Sequence, residues 1–442
     1  MTQSEIIDLL ENFQKESSVN NIYNLIKYFR IKGQFKLCKL FYSTLEVDGE
    51  LQGHLEGYRL RLLYEYSIFA WYLGIEHRLV IPVFMELFCS GLFDSYSLLG
   101  NYKFYRPILK CERSINISYV KTNGKNEQFF SSSPSIVPID GEDCYLINVR
   151  FVNYKIAPDG TYPWLDCYTT INKCMLVRIP PGKEFEIETL YEQFLEDDDI
   201  NQFQFNGCSY CGIEDLKLFN TGEKILFTGT YVNETMYTVW GHYLLTGREC
   251  NLLTGRECNL LNSGQQEDNN KLVHTKLIYP ERNNICEKNW VFVPTQDNGP
   301  FGNNLVMIYS WHPLVIGTIE CKDDSLFKEI KRIDTSPFLS GARGSTNGFL
   351  FGDEIWFVVH FVHKLDKELR NYFHAFVILD KLTLDVKRYS APFKITESDK
   401  NEIEYCLGLV VEKDRVLVTH SCWDRESYIK IYSKCYLDKF IF

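Results

Sequence analysis

The sequence predicts a mainly β protein with an α-helical N-terminal domain, and two patterns within its 442 residues carry that prediction. Up to about Tyr105 apolar residues recur every three or four positions, the spacing of amphipathic helices. Beyond Pro107 they give way to short β-branched and aromatic runs broken by Gly, Asn and Asp. Hydrophobic residues at 45% and aromatics at 15% supply a large core and exclude a disordered chain.

The first helix follows from Ile6, Leu9, Leu10 and Phe13, and the second from Ile22, Leu25, Ile26 and Phe29. Gly33 separates these from the run Phe35 to Tyr42. Tyr58 to Leu73 and Val80 to Phe88 read as further helices, with Gly74 and Gly91 as stops. Stacked helical hairpins over residues 1–106 result, resembling tetratricopeptide-like repeats. Such a domain either binds a protein partner or caps hydrophobic surface on the second domain.

Residues 115–442 form that second predicted domain. Its strands are Cys144 to Tyr154, Cys174 to Ile179, Lys224 to Val232, Leu305 to Ser310, Glu354 to Val362, Ala375 to Leu379 and Arg415 to Ser421. Repeated short strands over this length suit a five-bladed β-propeller, with an elaborated two-sheet sandwich as the alternative. The run Leu244 to Asn251 is repeated at once as Leu252 to Asn259, and the polar stretch after it places the duplication in a surface loop.

A net charge of −11 argues against general nucleic-acid binding, which requires Lys and Arg to neutralise phosphates. The segment Leu60 to Ile75 is interrupted by Arg61 and Glu65 and is too short to span a membrane. Met1 to Glu5 lacks the basic and apolar regions of a secretory signal, so the chain is expected to begin here. Of 15 cysteines, only Cys208 and Cys211 stand at metal-like spacing, with no second such pair. Buried free thiols in a reducing, cytoplasmic setting are the expectation.

In Gly212 to Phe219 an acid and a base stand two residues apart. On a strand, Asp215 and Lys217 share one face while Glu214, Leu216 and Leu218 share the other. Either an intrastrand salt bridge or a proton-transfer group beside an anion-binding group results. Further polar clusters, Asn148 to Tyr154, Glu287 to Trp290, Tyr309 to Pro313 and Arg343 to Gly348, sit at predicted strand ends. In a propeller such ends converge on one mouth. Arg150, Lys217, Lys288, His312 and Arg343 then make it cationic and suited to phosphate.

The order Asn148-Val149-Arg150, Gly212 to Lys217, Glu287-Lys288-Asn289-Trp290, His312 and Ser421-Cys422-Trp423-Asp424 resembles the five-bladed β-propeller mannoside phosphorylases and their β-mannosyltransferase relatives. The likeness covers roughly residues 115–442. It implies Asp215 as the acid or base, Arg150, Lys217, Lys288, His312 and Arg343 as phosphate or donor contacts, and Asn153, Asn289, Trp311 and Asp424 as sugar contacts. Leu216 and Lys217 stand where that family has Pro and Arg, so the planar fork of an arginine is missing.

The chemistry implied is inverting transfer of mannose or a similar hexose by single displacement, from a nucleotide-sugar or sugar-phosphate donor to a glycan acceptor, without metal or cofactor. A phosphorylase or hydrolase on the same scaffold, or a non-catalytic glycan- or peptide-binding protein, are the alternatives. Plainer roles exist for each residue. Arg150 could pair with Asp143 or another surface acid, His312 could be a turn histidine, and Lys288 could lie over Trp290. Trp164, Trp290, Trp311 and Trp423 either stack on sugars or fill the core. His360, His363 and His374 do not meet at strand spacing, and Glu404 and Tyr405 are additional pocket candidates.

Overall fold

The computed structural model describes residues 3–15, 18–47, 50–51, 55, 57–105, 107–124, 126–139, 143–181, 187–197, 203–205, 208–222, 224–233, 235–244, 271–278, 286–295, 304–321, 325–364, 369–397 and 403–442. The eight-residue duplication, apart from Leu244, lies outside them. The chain divides into two compact units, Met1–Pro107 with Ser336–Ser340, and Ile108–Thr335 with Gly341–Phe442. Among the described residues no helix is long and apolar enough to cross a membrane.

The first unit contains α1 (Gln3–Lys15), α2 (Val19–Ile31), α3 (Phe35–Ser43), α4 (Arg59–Tyr72), α5 (His77–Ser90) and α6 (Ser95–Tyr102). Side-chain oxygens of Ser18 and Asp94 accept from backbone N–H groups three residues on and so cap α2 and α6. The helical spacing places Ile22, Leu25, Ile26 and Phe29 of α2 in the core with Leu62 and Phe69 of α4 and Phe84, Leu87 and Phe88 of α5. Gly91 ends α5 in the left-handed region at φ 67°, where a side chain would be strained.

The second unit is built from antiparallel meanders. The first runs through Val120–Thr122, Gln128–Pro138, Tyr145–Val152, Cys167–Arg178 and Glu188–Phe194. The second contains Glu214–Asn220, Ile225–Asn233, Thr235–Leu244 and Lys271–Ile278, and the third Val291–Val293, Val306–Trp311, Leu314–Cys321 and Ser325–Ile333. A fourth joins Phe349–Phe351, Glu354–Lys364, Arg370–Asp380 and Val386–Tyr389. The fifth, Glu404–Val411, Arg415–Cys422 and Glu426–Ser433, is completed by Arg113–Asn116 from the start of the unit. The short C-terminal helix α7 spans Lys434–Phe440.

Each meander buries one apolar face against the next. Leu146 and Leu176 of the first meet Leu216 and Phe227 of the second, and Phe219 and Leu226 of the second meet Phe292 and Phe327 of the third. Trp311 of the third lies edge-on to Phe357 of the fourth at 5.3 Å. Val358 and Phe376 of the fourth pack with Leu409 and Val418 of the fifth, whose Leu417 and Ile429 reach Ile147 and Val149 of the first. Such burial of branched and aromatic side chains stabilises by about 25 cal/mol per Å² of apolar surface.

Asn347 ties three meanders together. Its amide nitrogen donates to the carbonyls of Lys217 and Leu218, both at 3.0 Å, and its oxygen accepts from Phe292 N at 2.8 Å. The strand bearing Lys217 is thereby fixed from a neighbouring sheet.

Candidate functional site

Three meanders, the first, second and fifth, contribute to one buried polar network. Arg150, 3% exposed at the end of Tyr145–Val152, is its centre. Its Nη1 donates to Asp215 Oδ1 at 2.7 Å, and its Nη2 to the Tyr154 hydroxyl at 3.0 Å and to Asp424 Oδ2 at 3.3 Å. Tyr154 also donates to Asp424 Oδ2 at 3.1 Å, and Ser132 Oγ to Asp424 Oδ1 at 2.8 Å. Burial and then the Asp424 carboxylate hold the Tyr154 phenol well above its ordinary pKa, so it remains a proton donor.

Arg150 pairs with Asp215 and Asp424 and not with Asp143. Asp424, expected as a sugar contact, accepts from Ser132, Arg150 and Tyr154 and so orients Arg150.

The strand beginning at Glu214 is irregular where it matters. Glu214 pairs with Thr230 and Lys217 with Thr228, so Asp215 and Leu216 form a bulge opposite one residue. Asp215 takes φ 52° there. Strict alternation therefore fails: Leu216 is fully buried in the core as expected, whereas Glu214 joins the site with Asp215. The carboxylate of Asp215 pairs with Arg150, and the Lys217 ammonium donates to the Asp215 backbone carbonyl at 3.4 Å. Gly212, φ 88°, leads into the bulge where an added Cβ would stand 2.0 Å from Thr170 O.

Four of the six non-glycine residues with positive φ among the described residues belong to this region: Asp215, Asn289 (70°), Trp423 (54°) and Asp424 (50°). Such conformations cost on the order of 1–3 kcal/mol each and persist where surrounding packing enforces them. Asn289 is held by its side-chain oxygen, which accepts from the Tyr405 hydroxyl at 3.0 Å.

Beside the carboxylates stands a cationic group. Lys217 is 1% exposed, and burial, reinforced by the charge of Lys288 and opposed by Asp215, brings its pKa down to about 8. Arg343 pairs across strands with His360, which is 2% exposed and shares a 2.8 Å hydrogen bond with Ser345 Oγ. Burial, His374, Arg343, Lys217 and Lys288 push His360 well below its ordinary value, leaving it neutral among cations. Glu214 is held above its ordinary pKa, foremost by burial, with Asp215 and Asp424 adding to the shift and Arg150 and Lys288 opposing it. Lys288 precedes Asn289 in the chain, and Arg343, exposed, stands opposite His360.

Other predicted residues go elsewhere. His312 is exposed in a hairpin turn, its Nδ1 3.1 Å from Thr335 Oγ1. Trp311 and Trp290 are 2% and 1% exposed and fill the core. Asn153 is a staple: it donates to Cys167 O and Glu127 Oε1 and accepts from Thr169 N. Glu404, fully buried, accepts from the backbone N–H groups of Ile395 and Thr396 and from Thr396 Oγ1. Burial works against its ionisation, but Lys394, His374 and Thr396 outweigh it and hold the carboxyl ionised, so its role is structural. Sequence reasoning does not single out Glu214, Tyr154, Ser132, His360 or Ser345 for this network. Tyr154 lies within the polar cluster that begins at Asn148, which is signal enough to find it, and only the alternation rule turns Glu214 away.

No protein-family model matches the chain, and no curated protein matches it. Among solved structures, a mannose phosphorylase from Leishmania mexicana in complex with phosphate ion aligns with TM-score 0.42 and 11% identity, covering 74% of this chain and 90% of that one. A β-1,2-mannobiose phosphorylase from Listeria innocua aligns with TM-score 0.45 and 10% identity over 71% and 92%. A GDP-Man-dependent mannosyltransferase from Leishmania mexicana gives 0.39 and 12% over 73% and 90%. Likenesses of this degree assign this chain neither an activity nor the role of any residue.

Proposed function

We propose that the second unit is a five-bladed β-propeller that transfers mannose or a similar hexose between a phosphate-bearing donor and a glycan acceptor by a single inverting displacement. The observation that carries this reading is the Asp215 carboxylate, fixed by Arg150 at 2.7 Å, with the buried Lys217 ammonium 3.4 Å from the Asp215 carbonyl; Lys288 and Arg343 supply further positive charge in this scheme. Five antiparallel meanders, the second and third joined at one edge by the parallel pairing of Leu277 and Ile278 with Ser325 and Leu326, and Arg113–Asn116 completing the last, support the blade count.

In this scheme Asp215 takes the proton of the acceptor hydroxyl as that oxygen attacks the anomeric carbon. The bond from that carbon to the donor phosphate breaks, and the cations stabilise charge on the departing oxygen. Run backwards, phosphate attacks and protonated Asp215 supplies the proton to the leaving sugar. One carboxyl group with phosphate suffices in either direction, unlike the paired carboxylates of hydrolysis. Glu214, its pKa raised foremost by burial, stands beside Asp215 in the chain.

The test is to incubate the protein with mannose 1-phosphate or a nucleotide-activated mannose and a panel of acceptor glycans, following product and phosphate together. Product formed with stoichiometric phosphate release from the 1-phosphate supports the reversible phosphorolytic form. Product from the nucleotide sugar alone supports the transferase form. Glycan binding with no turnover of either donor sinks the catalytic reading.

A further inference from the structure

We propose that the loop carrying Tyr162 and Trp164 is a platform for the distal sugars of an oligosaccharide whose end occupies the Asp215 site, an inference that rests on the hexosyl-transfer reading. Trp164 is 73% exposed, against 1% and 2% for Trp290 and Trp311, so its ring is not filling the core. Its surroundings are nevertheless fixed. Thr161 N and Oγ1 both donate to Asp159 Oδ1, at 3.0 and 2.7 Å, Ala157 N donates to Thr161 O at 2.9 Å, and the Tyr168 hydroxyl donates to Pro163 O at 2.6 Å. A well-anchored loop thus holds a large apolar ring in water, at a cost that contact with a ligand would offset.

Tyr162, two residues before Trp164 on the same loop, belongs to a graded aromatic series leading out of the network. Tyr154, 6% exposed, contacts Asp424 through its hydroxyl. Its ring lies 5.4 Å from Tyr162, which is 41% exposed, and 5.8 Å from Tyr168, which in turn stacks on Tyr210 at 5.1 Å. The ring contact with Tyr154 ties Tyr162 to the same site, and burial and then the Asp424 carboxylate raise the pKa of its phenol.

The occupant is chosen by chemistry. Ala157 to Asp166 contains two acids and no Lys or Arg, which disfavours an anionic partner. Sugar rings are neutral, present C–H faces that pack on aromatic rings, and carry hydroxyls that phenols can hydrogen-bond. The cations, in contrast, come from the second, third and fourth meanders, so donor phosphate and acceptor sugars have separate linings.

Calorimetric titration of the full chain with di- and tetrasaccharides of mannose, glucose and xylose tests this. For at least one series the tetrasaccharide is expected to bind the wild type roughly tenfold more tightly than the disaccharide. Trp164→Ala should abolish that gain while leaving disaccharide affinity within about twofold, and Trp164→Tyr should retain most of it. Unchanged length dependence in Trp164→Ala overturns the platform, as does the absence of any length dependence in the wild type; a protein partner on this surface gives the former result. Length-dependent binding lost in Trp164→Ala, with no transfer by wild type, keeps the platform and removes the transferase reading. Transfer by wild type with Trp164→Ala indistinguishable from it in binding does the reverse.

Discussion

At the scale of single residues, charge and burial together assign the parts. Arg150 is the counter-charge of both Asp215 and Asp424, and removing it leaves two mostly buried carboxylates unmatched at a cost of about 3–5 kcal/mol. Arg150→Ala is accordingly expected to lower the thermal midpoint as well as activity, whereas Asp424→Asn, which keeps the shape and one acceptor, should affect activity more than stability. Lys217 gives a pH prediction. It is a cation below about pH 8 and neutral above, so phosphate affinity should fall as pH rises through about 8. Calorimetry with inorganic phosphate checks this, and Lys217→Met should remove the step. Stability moves oppositely. Between about 8 and the ordinary 10.5 the unfolded chain retains a proton that the folded chain has lost, so unfolding free energy rises with pH across that window. Asp215, Lys217 and Arg150 are legible in the sequence because charged residues in apolar runs are conspicuous. Asn153 and Trp311 mislead because the sequence does not show which backbone groups need a staple or which ring a neighbouring sheet will cover.

At the scale of the element, the decisive feature is the bulge at Asp215. Period-two alternation correctly sends Leu216 and Leu218 inward but misplaces Glu214, because one extra residue and a left-handed φ reset the register. Nothing short of the pairing itself reveals that shift. Gly212 is where the bulge is most fragile. An alanine there faces both φ 88° and the Thr170 carbonyl at 2.0 Å. Gly212→Ala is predicted to cost about 2 kcal/mol or more and to displace Asp215, read as a lowered denaturation midpoint together with lost turnover. Helices are easier to read. The runs ending at Gly33, Gly74 and Gly91 correspond to α2, α4 and α5 because spacing and stop signals there agree.

At the scale of the whole molecule, the strands of the second unit are legible as a succession of short runs, while their grouping is not. Which strand completes the last meander depends on a pairing between Ile115 and Ile429, which lie at opposite ends of the unit. Local pattern carries no trace of such a contact. This strand ties the start of the unit to its end, so Ile115→Pro, which removes a ladder donor and apolar packing, should cost about 3 kcal/mol and lower the thermal midpoint of the β unit. A helical-unit substitution such as the exposed Ile31→Ser should leave it unchanged. Because the site draws Asp215, Arg150, Arg343 and Asp424 from different meanders, loosening that closure is expected to reduce activity before global unfolding.

The central claim is that Asp215 moves the proton in hexosyl transfer, and comparison of wild type with Asp215→Asn in one donor and acceptor assay tests it most directly. Product is predicted from the wild type, and turnover reduced by roughly 10²–10⁴-fold in an Asp215→Asn protein that retains its far-ultraviolet circular dichroism and its glycan affinity. Equal turnover by the folded variant would contradict the account.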